Sequence, residues 1–247
     1  MTAEDRVGRD KARIDEWIRY AATSGETPAI DAATVVVLRD GDDGVETLML
    51  RRNSKIAFGG MWVFPGGRVD EADRAAAADA LDAARIAAVR EAEEEAALVI
   101  PAGELVMFAH WIPPPIAPKR YATWFFAARV ADRAHRIDDG EIVESDWMTP
   151  EECLGRHHQG EIELAPPTWV TLHSLRGHGR VDGALTTLAD RPARHHATRI
   201  GRTDEGPVAM WEGDAGYDAA DPTITGPRHR LEMYAEGYHY DDSGVRG

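Results

Sequence analysis

From Asp79 to Val99 the chain reads DALDAARIAAVREAEEEAALV, and no other stretch restricts its folding so tightly. Alanine is the strongest helix former, and a run this rich in it predicts a helix over 79–99. Leu81, Ala84, Ala88, Ala92, Ala96 and Val99 recur at helical spacing and share one face. Because most of them are alanines, that face lets another layer approach closely. The same helix places Glu91, Glu94 and Glu95 at i, i+3 and i+4, so these carboxylates lie on one flank, while Arg90 and Glu93 point elsewhere. Clustered carboxylates repel one another. Alone, such a run reads as a solvated face; with a cation it reads as a metal site, since hard divalent ions take oxygen ligands.

The surrounding chain supplies the partners of this helix. Residues 10–22 read as an amphipathic helix carrying Ile14, Trp17, Ile18 and Ala21, and TSGETP ends it. ATVVVLRDGDDGVETLMLRR reads as a β-hairpin around DGDDG. MWVFPGGRVD reads as a short strand ending in Pro65-Gly66-Gly67, whose glycines allow unusual backbone conformations and close approach of a ligand. Residues 71–85 read as helix or loop. ELVMFAHWI, YATWFFAARV and EIVESDWM read as strands, with PPPIAPKR a stiff loop between the first two. TPEECL opens a helix capped by Thr149, and PPTWVTLHSLRG is a helix with Gly177 after its end. Beyond residue 180 the pattern weakens, although PVAMW and RLEMYAEG read as strands. Helices and strands alternate without a βαβ rhythm, which predicts an α/β (α+β) fold with a mixed sheet between helix layers. The expected organisation is an N-terminal extension over 1–29, a domain over 30–178 with an insert at about 70–80, and a C-terminal extension over 179–247 packed on it.

Bulk composition narrows the function. The formal net charge of −15 argues against a protein that coats nucleic acid, but not against a small anion bridged to the protein by divalent cations. No apolar run approaches the roughly 18 residues of a membrane span. The first residues are charged and lack a signal-peptide core. With a single cysteine, Cys153, no internal disulfide forms. The expectation is a soluble, cytoplasmic protein. Cys153 reads as a small buried hydrophobe, and Trp17, Trp169 and Trp211 as packing residues. His157-His158 and His195-His196 read as surface residues.

FPGG followed by REAEEEAAL resembles the Nudix hydrolase family, whose signature runs G-x5-E-x7-R-E-U-x-E-E-x-G-U with U a bulky aliphatic. Position by position, Gly67 matches the opening glycine, Arg90-Glu91 the R-E pair, Ala92 the first U, Glu94-Glu95 the E-E pair and Leu98 the last U. The resemblance covers about residues 30–175. Three departures stand out. Gly67 and Arg90 are 23 positions apart, nine more than in the signature. Asp82 stands in place of the isolated glutamate. Ala97 replaces the glycine that ends the helix in a left-handed turn, so either the turn is kept at a cost on the order of 1 kcal/mol or the helix runs on towards Pro101. The insert, with GGMWVFPGGRVD before it and PKRYATWFFAA after it, resembles the branch containing the peroxisomal coenzyme A diphosphatases.

The resemblance implies a Nudix-type α/β/α sandwich and hydrolysis of a pyrophosphate bond in a nucleoside diphosphate linked to another moiety. Coenzyme A or acyl-coenzyme A comes first as substrate, ADP-ribose or a dinucleotide second; a nucleotide sensor without turnover is the reading from another class. It further implies one to three Mg²⁺ (or Mn²⁺) ions on Glu91, Glu94 and Glu95, with the Gly67 carbonyl as an added ligand. Arg90 would orient Glu91. The general base is Glu95, Glu91 or a carboxylate on a later strand or loop: Asp146, with Glu144 and Glu141 as alternates. Arg51, Arg52, Lys119 and Arg120 are candidates for phosphate contacts, though a pair such as Arg51-Arg52 more often marks a strand end. Trp62, Trp124 and Phe125 are candidates for a base-stacking pocket. Partners are a small nucleotide-type molecule, no nucleic acid and no membrane, with a homodimer in keeping with the family.

Overall fold

A computed structural model of the chain describes residues 3–53, 59–130, 136–137 and 140–245, with side chains from residue 8 onward. The ends of the two expected extensions, residues 1–2 and 246–247, lie outside the described residues. The β-branched run forms β1 (Ile30–Asp40) and pairs antiparallel with β2 (Val45–Arg52), Asp40 opposite Val45. The turn between them closes because Gly44 accepts a φ of 129°. Further along, β1 and β2 diverge. The fork is filled by β3 (Trp62–Val63), paired to β2, and β4 (Gly66–Arg68), paired to β1.

β6 (Tyr121–Arg129) runs parallel to β1, and β5 (Val106–Ile112) antiparallel to β6. β7 (Ile142–Met148) takes the outer edge of β2. β8 (Arg194–Ala197) adds to β5 and completes a mixed eight-stranded sheet. The helices are α1 (Ala3–Ser24), α2 (Glu71–Ala76), α3 (Ala80–Ala96), α4 (Pro150–His158), α5 (Pro166–Leu175) and α6 (Val181–Ala189). Four strands, β9 (Arg199–Arg202), β10 (Pro207–Met210), β11 (Arg230–Tyr234) and β12 (Gly237–Asp241), form a second, antiparallel sheet. No helix among the described residues is long and apolar enough to cross a membrane.

The side-chain period of two sorts the core into two halves. Ala33, Val35, Val37, Leu48, Leu50 and Phe126 face α3 and meet Ala84, Ala87, Ala88, Ala92 and Ala96. Val36, Leu38, Met49, Phe64, Phe125 and Met148 face the other way. There they meet Cys153 of α4, Leu172 of α5, Ala184 of α6, and Ala209 and Leu231 of the second sheet. The mixed α/β class expected from sequence is observed, with helices on both faces of the large sheet. The alanine face has the close-packing role expected of it.

Several local readings need correction. The first helix starts earlier than residue 10, at Ala3. Val99 does not join the buried face but is 78% exposed, because α3 stops at Ala96 and Ala97 turns left-handed (φ 54°, ψ 32°). The turn is kept despite the missing glycine: Ala97 N–H donates to the Glu93 carbonyl and Leu98 N–H to the Ala92 carbonyl. α6 and β8 went unread beyond residue 180, whereas PVAMW and RLEMYAEG contain β10 and β11. His157 and His196 are buried, not surface residues. β8 turns His196 inward onto Trp111, rings stacked 3.7 Å apart, and His157 packs against Tyr238. Cys153 and Trp211 are fully buried as expected.

Candidate active site

The α3 carboxylates face the backbone of β4. Glu95 is buried and accepts the Gly66 N–H at 2.9 Å. Glu91 lies against Gly67 so closely that a Cβ there would fall inside its carboxylate. A Cβ on Gly66 would likewise overlap the Ala33 carbonyl and Thr34 of β1. Neither glycine has a positive φ. The special backbone conformation expected of them is therefore absent, and the close approach they permit is made by protein atoms.

Arg90 does not point away as helix geometry suggested. Its Nη1 donates to Glu91 at 2.8 Å and Glu94 at 2.9 Å. Its Nη2 and Nε take both oxygens of Asp73, at 3.0 and 3.2 Å, and Nη2 also reaches the Arg68 carbonyl at 3.0 Å. Asp73 is buried in α2, inside the extra residues between Gly67 and Arg90, and its side chain caps Asp70 N–H at 2.8 Å. The insert thus supplies the anchor of Arg90. Sequence reasoning missed Asp73, although the D-x-x-D spacing of a capping box was there to be read.

Electrostatics separate these acids. Burial pushes Glu95 up to about 8, against the pull of the Gly66 N–H and Arg52; Glu91 and Glu141 push the same way. Burial also raises Glu91, offset by Arg90 and reinforced by Glu94 and Glu141. Burial would raise Asp73 as well, but its bonds to Arg90 and the Asp70 N–H hold it below the usual range. Glu141, just before β7, accepts Arg52 Nη2 at 2.6 Å. Arg52 also stands 3.6 Å from Glu95.

Other expected site residues are not brought to this cluster. Met148 and Asp146 lie on the sheet face opposite α3, while Trp147 faces α3. Asp146 pairs instead with Arg156 of α4 at 3.6 Å. Arg51 points to the same far side and pairs with Glu144 at 3.0 Å. Arg120 is buried and spent on structure, donating to Glu26, to the Thr27 carbonyl and to the Pro113 carbonyl, where it ties the Pro-rich loop to the end of the N-terminal segment. Lys119 sits over the Tyr121 ring, and Trp124 stacks on His110 at 3.9 Å. Phe125 belongs to the core. Trp62, also buried, forms one wall of a cleft of about 460 Å³ with Arg9, Arg51, Glu144 and Arg156, on the face away from α3.

Among the described residues, no three His, Cys, Asp or Glu side chains are gathered tightly enough to cage a metal ion by themselves. The donor set still suits a hard divalent cation. It consists of oxygens alone, and two of its carboxylates, buried Glu95 and half-buried Glu91, repel each other. Ions such as Mg²⁺ keep several waters and share substrate phosphates, so a complete protein cage is not required.

The NUDIX domain family profile matches residues 29–168. A Caenorhabditis elegans protein described as nudix hydrolase 7 is 29% identical over 165 residues, 52% of this chain and 55% of that protein. The matched segment thus spans about half the length of that curated relative. Among solved structures, a NUDIX hydrolase from Alicyclobacillus acidocaldarius is similar over 67% of this chain and 99% of its own, with a TM-score of 0.60 at 24% identity, a likeness of fold.

Proposed function

Because this chain belongs to the NUDIX family, we propose that it hydrolyses a pyrophosphate bond in a nucleoside diphosphate joined to a second moiety, using Mg²⁺ or Mn²⁺ at the α3 carboxylates. The observation that carries this reading is the seating of Glu91 and Glu95 against the β4 glycines, where a half-buried and a buried acid meet a backbone with no side chain between. Glu91, Glu94 and Glu95, with the Gly67 carbonyl, would hold one to three ions. A bound ion supplies charge neutralisation for the phosphates and acidifies the attacking water. Arg90 orients Glu91 and Glu94 from one guanidinium, itself held by Asp73. Burial raises Glu95 to about 8, so an ion held there would bind with release of a proton. Water attacks one phosphorus, its proton passes to a carboxylate, and the bridging oxygen leaves with the other phosphate. Glu91, Glu95 and Glu141 are the acids near enough to this cluster to serve as that base; Asp146, on the other face, is not among them.

Within this reading residues 30–178 form the catalytic domain, with 1–29 and 179–247 as extensions on it. Coenzyme A or acyl-coenzyme A ranks first as substrate, supported by the resemblance of the insert and its flanks; ADP-ribose or a dinucleotide ranks second. The net charge of −15 favours a small anion bridged by cations over nucleic acid. The test is a mass-spectrometric turnover screen with Mg²⁺ over coenzyme A, acyl-coenzyme A, ADP-ribose, NADH, diadenosine polyphosphates and nucleoside triphosphates, with Glu94→Gln as control. Release of 3′-phosphorylated ADP and phosphopantetheine supports the first ranking, and AMP with ribose phosphate the second. Binding of a panel member without turnover would replace the hydrolase by a nucleotide sensor.

A further inference from the structure

Two arginines touch the carboxylate cluster, and they are built differently. Arg90 is a fixed strut: all three guanidinium nitrogens are engaged, at 2.8–3.2 Å, by Asp73, Glu91, Glu94 and the Arg68 carbonyl. Arg52 is loosely held. Among the described residues its one close partner is Glu141 at 2.6 Å, whose side chain is 58% exposed. Glu95 stands off at 3.6 Å and the Gly66 carbonyl at 3.5 Å. Its Nε is buried with no hydrogen-bond partner among the described residues. The β2–β7 register also shifts between Arg51 and Arg52, an irregularity of the kind that re-aims a side chain.

The oxygens around Arg52 come from three elements: a carboxylate of α3, the backbone carbonyl of Gly66 in β4, and a carboxylate just ahead of β7. This is the oxygen environment of a cation, filled by a guanidinium that fits it poorly. A guanidinium cannot leave by losing its proton; it can leave only by moving. We propose that Arg52, held by Glu141 and the Gly66 carbonyl, is a tethered counter-cation that competes with the divalent ion for the Glu95 carboxylate and, once displaced, turns its planar fork to the pyrophosphate of the substrate. The proposal rests on the metal-dependent reading given above. Its consequence is coupling: ion and pyrophosphate bind better together than apart, because each removes a partner that would hold Arg52 or a charge that would repel the other.

The test is calorimetric titration of Mn²⁺ into the full chain, for the parent, Arg52→Gln and Arg52→Lys, with and without methylenediphosphonate, an uncleavable pyrophosphate analogue. Circular dichroism and melting temperature establish that each variant is folded. Without the analogue, Arg52→Gln binds Mn²⁺ roughly fivefold to tenfold tighter than the parent, the size expected for removing one neighbouring positive charge at a partly exposed site. Arg52→Lys lies between, since one ammonium cannot span both carboxylates, and it bears the test if Arg52→Gln does not fold. The analogue tightens Mn²⁺ binding about tenfold in the parent, and clearly less in Arg52→Gln. A folded Arg52→Gln that binds Mn²⁺ no tighter than the parent overturns the proposal and leaves the metal reading standing. Mn²⁺ binding by Arg52→Gln but not by the parent supports it. No Mn²⁺ binding by any form removes the metal reading and the proposal with it.

Discussion

Gly66 and Gly67 show how a residue can be chosen by its neighbours. Each leaves room for an atom that must come close: the β1 backbone at Gly66, the Glu91 carboxylate at Gly67. Gly67→Ala is expected to keep the fold and displace Glu91, lowering kcat by about a hundredfold, as small misplacements in a catalytic site do. Gly66→Ala meets backbone that cannot yield as easily and should lower stability by about 1–3 kcal/mol, measured by denaturant unfolding. Glu95 invites a test by pH. Burial raises it from 4.5 in the unfolded chain to about 8, so between these values the folded chain holds a proton that the unfolded chain has lost. Stability from this group therefore falls as pH rises through that window, and divalent-ion affinity rises with it until about pH 8. Glu95→Gln keeps an acceptor for the Gly66 N–H without the charge. The expected outcome is a melting temperature above the parent's at pH 8, about 2–4 °C for each kcal/mol recovered, and no further rise on adding Mg²⁺. A variant less stable than the parent at that pH would contradict the charge-burial account.

At the scale of elements, α3 does two jobs with one helix. Its alanine face sets the distance to the sheet, and its acidic flank rides on that distance. Ala88 is fully buried between α3 and the sheet. Ala88→Leu is expected to cost about 1–3 kcal/mol by overpacking and to reduce kcat more than a surface substitution of equal cost, because it lifts Glu91 and Glu95 from β4. Parallel denaturation and turnover measurements check this. The period of α3 and its acidic spacing follow from local sequence, so the helix was legible in advance, whereas the sequence left open whether it ended at Ala97 or ran on towards Pro101. Its tie to α2 was not: the Arg90–Asp73 bonds join residues 17 apart in sequence, across a stretch whose composition suited helix and loop equally.

In the whole molecule, the second sheet is bonded to the domain through its core. Trp211, Ala209, Leu231 and Met233 share one apolar cluster with β5, α4, α5 and α6. His196 lies at that junction, stacked on Trp111 and facing Trp211 and His229, with neither ring nitrogen hydrogen-bonded among the described residues. Burial lowers its pKa well below the ordinary value of 6.5, and His229, Arg194 and His195 add to the effect. The unfolded chain takes up a proton near 6.5 that the folded chain refuses, so this stability is present above that pH and lost as pH falls below it. His196→Phe is expected to be more stable than the parent at every pH, by about 1 kcal/mol or more from the unmet ring nitrogens alone, with the gap widening towards pH 5. Urea unfolding at pH 5 and pH 8 reads both terms; a constant gap would place His196 outside the acid transition.

By itself the sequence determined whatever depends on near neighbours. The hairpin around DGDDG, the capped helix after Thr149, the alanine helix and the i, i+3, i+4 carboxylates rest on propensities and spacings confined to a turn or two of chain. Arg51 and Arg52, grouped together as candidates for phosphate contacts, face opposite ways because side chains alternate along a strand. Which face met α3 was decided by tertiary structure alone. That choice sent Arg52 to the carboxylates, left Asp146 and Arg51 on the far side and spent Arg120 on a loop. Strand pairing between distant segments made the choice, through backbone hydrogen bonds that carry no side-chain signature. For the same reason the pairing of the second sheet, though β10 and β11 were read as strands, and the buried place of His196 were invisible until the chain was folded.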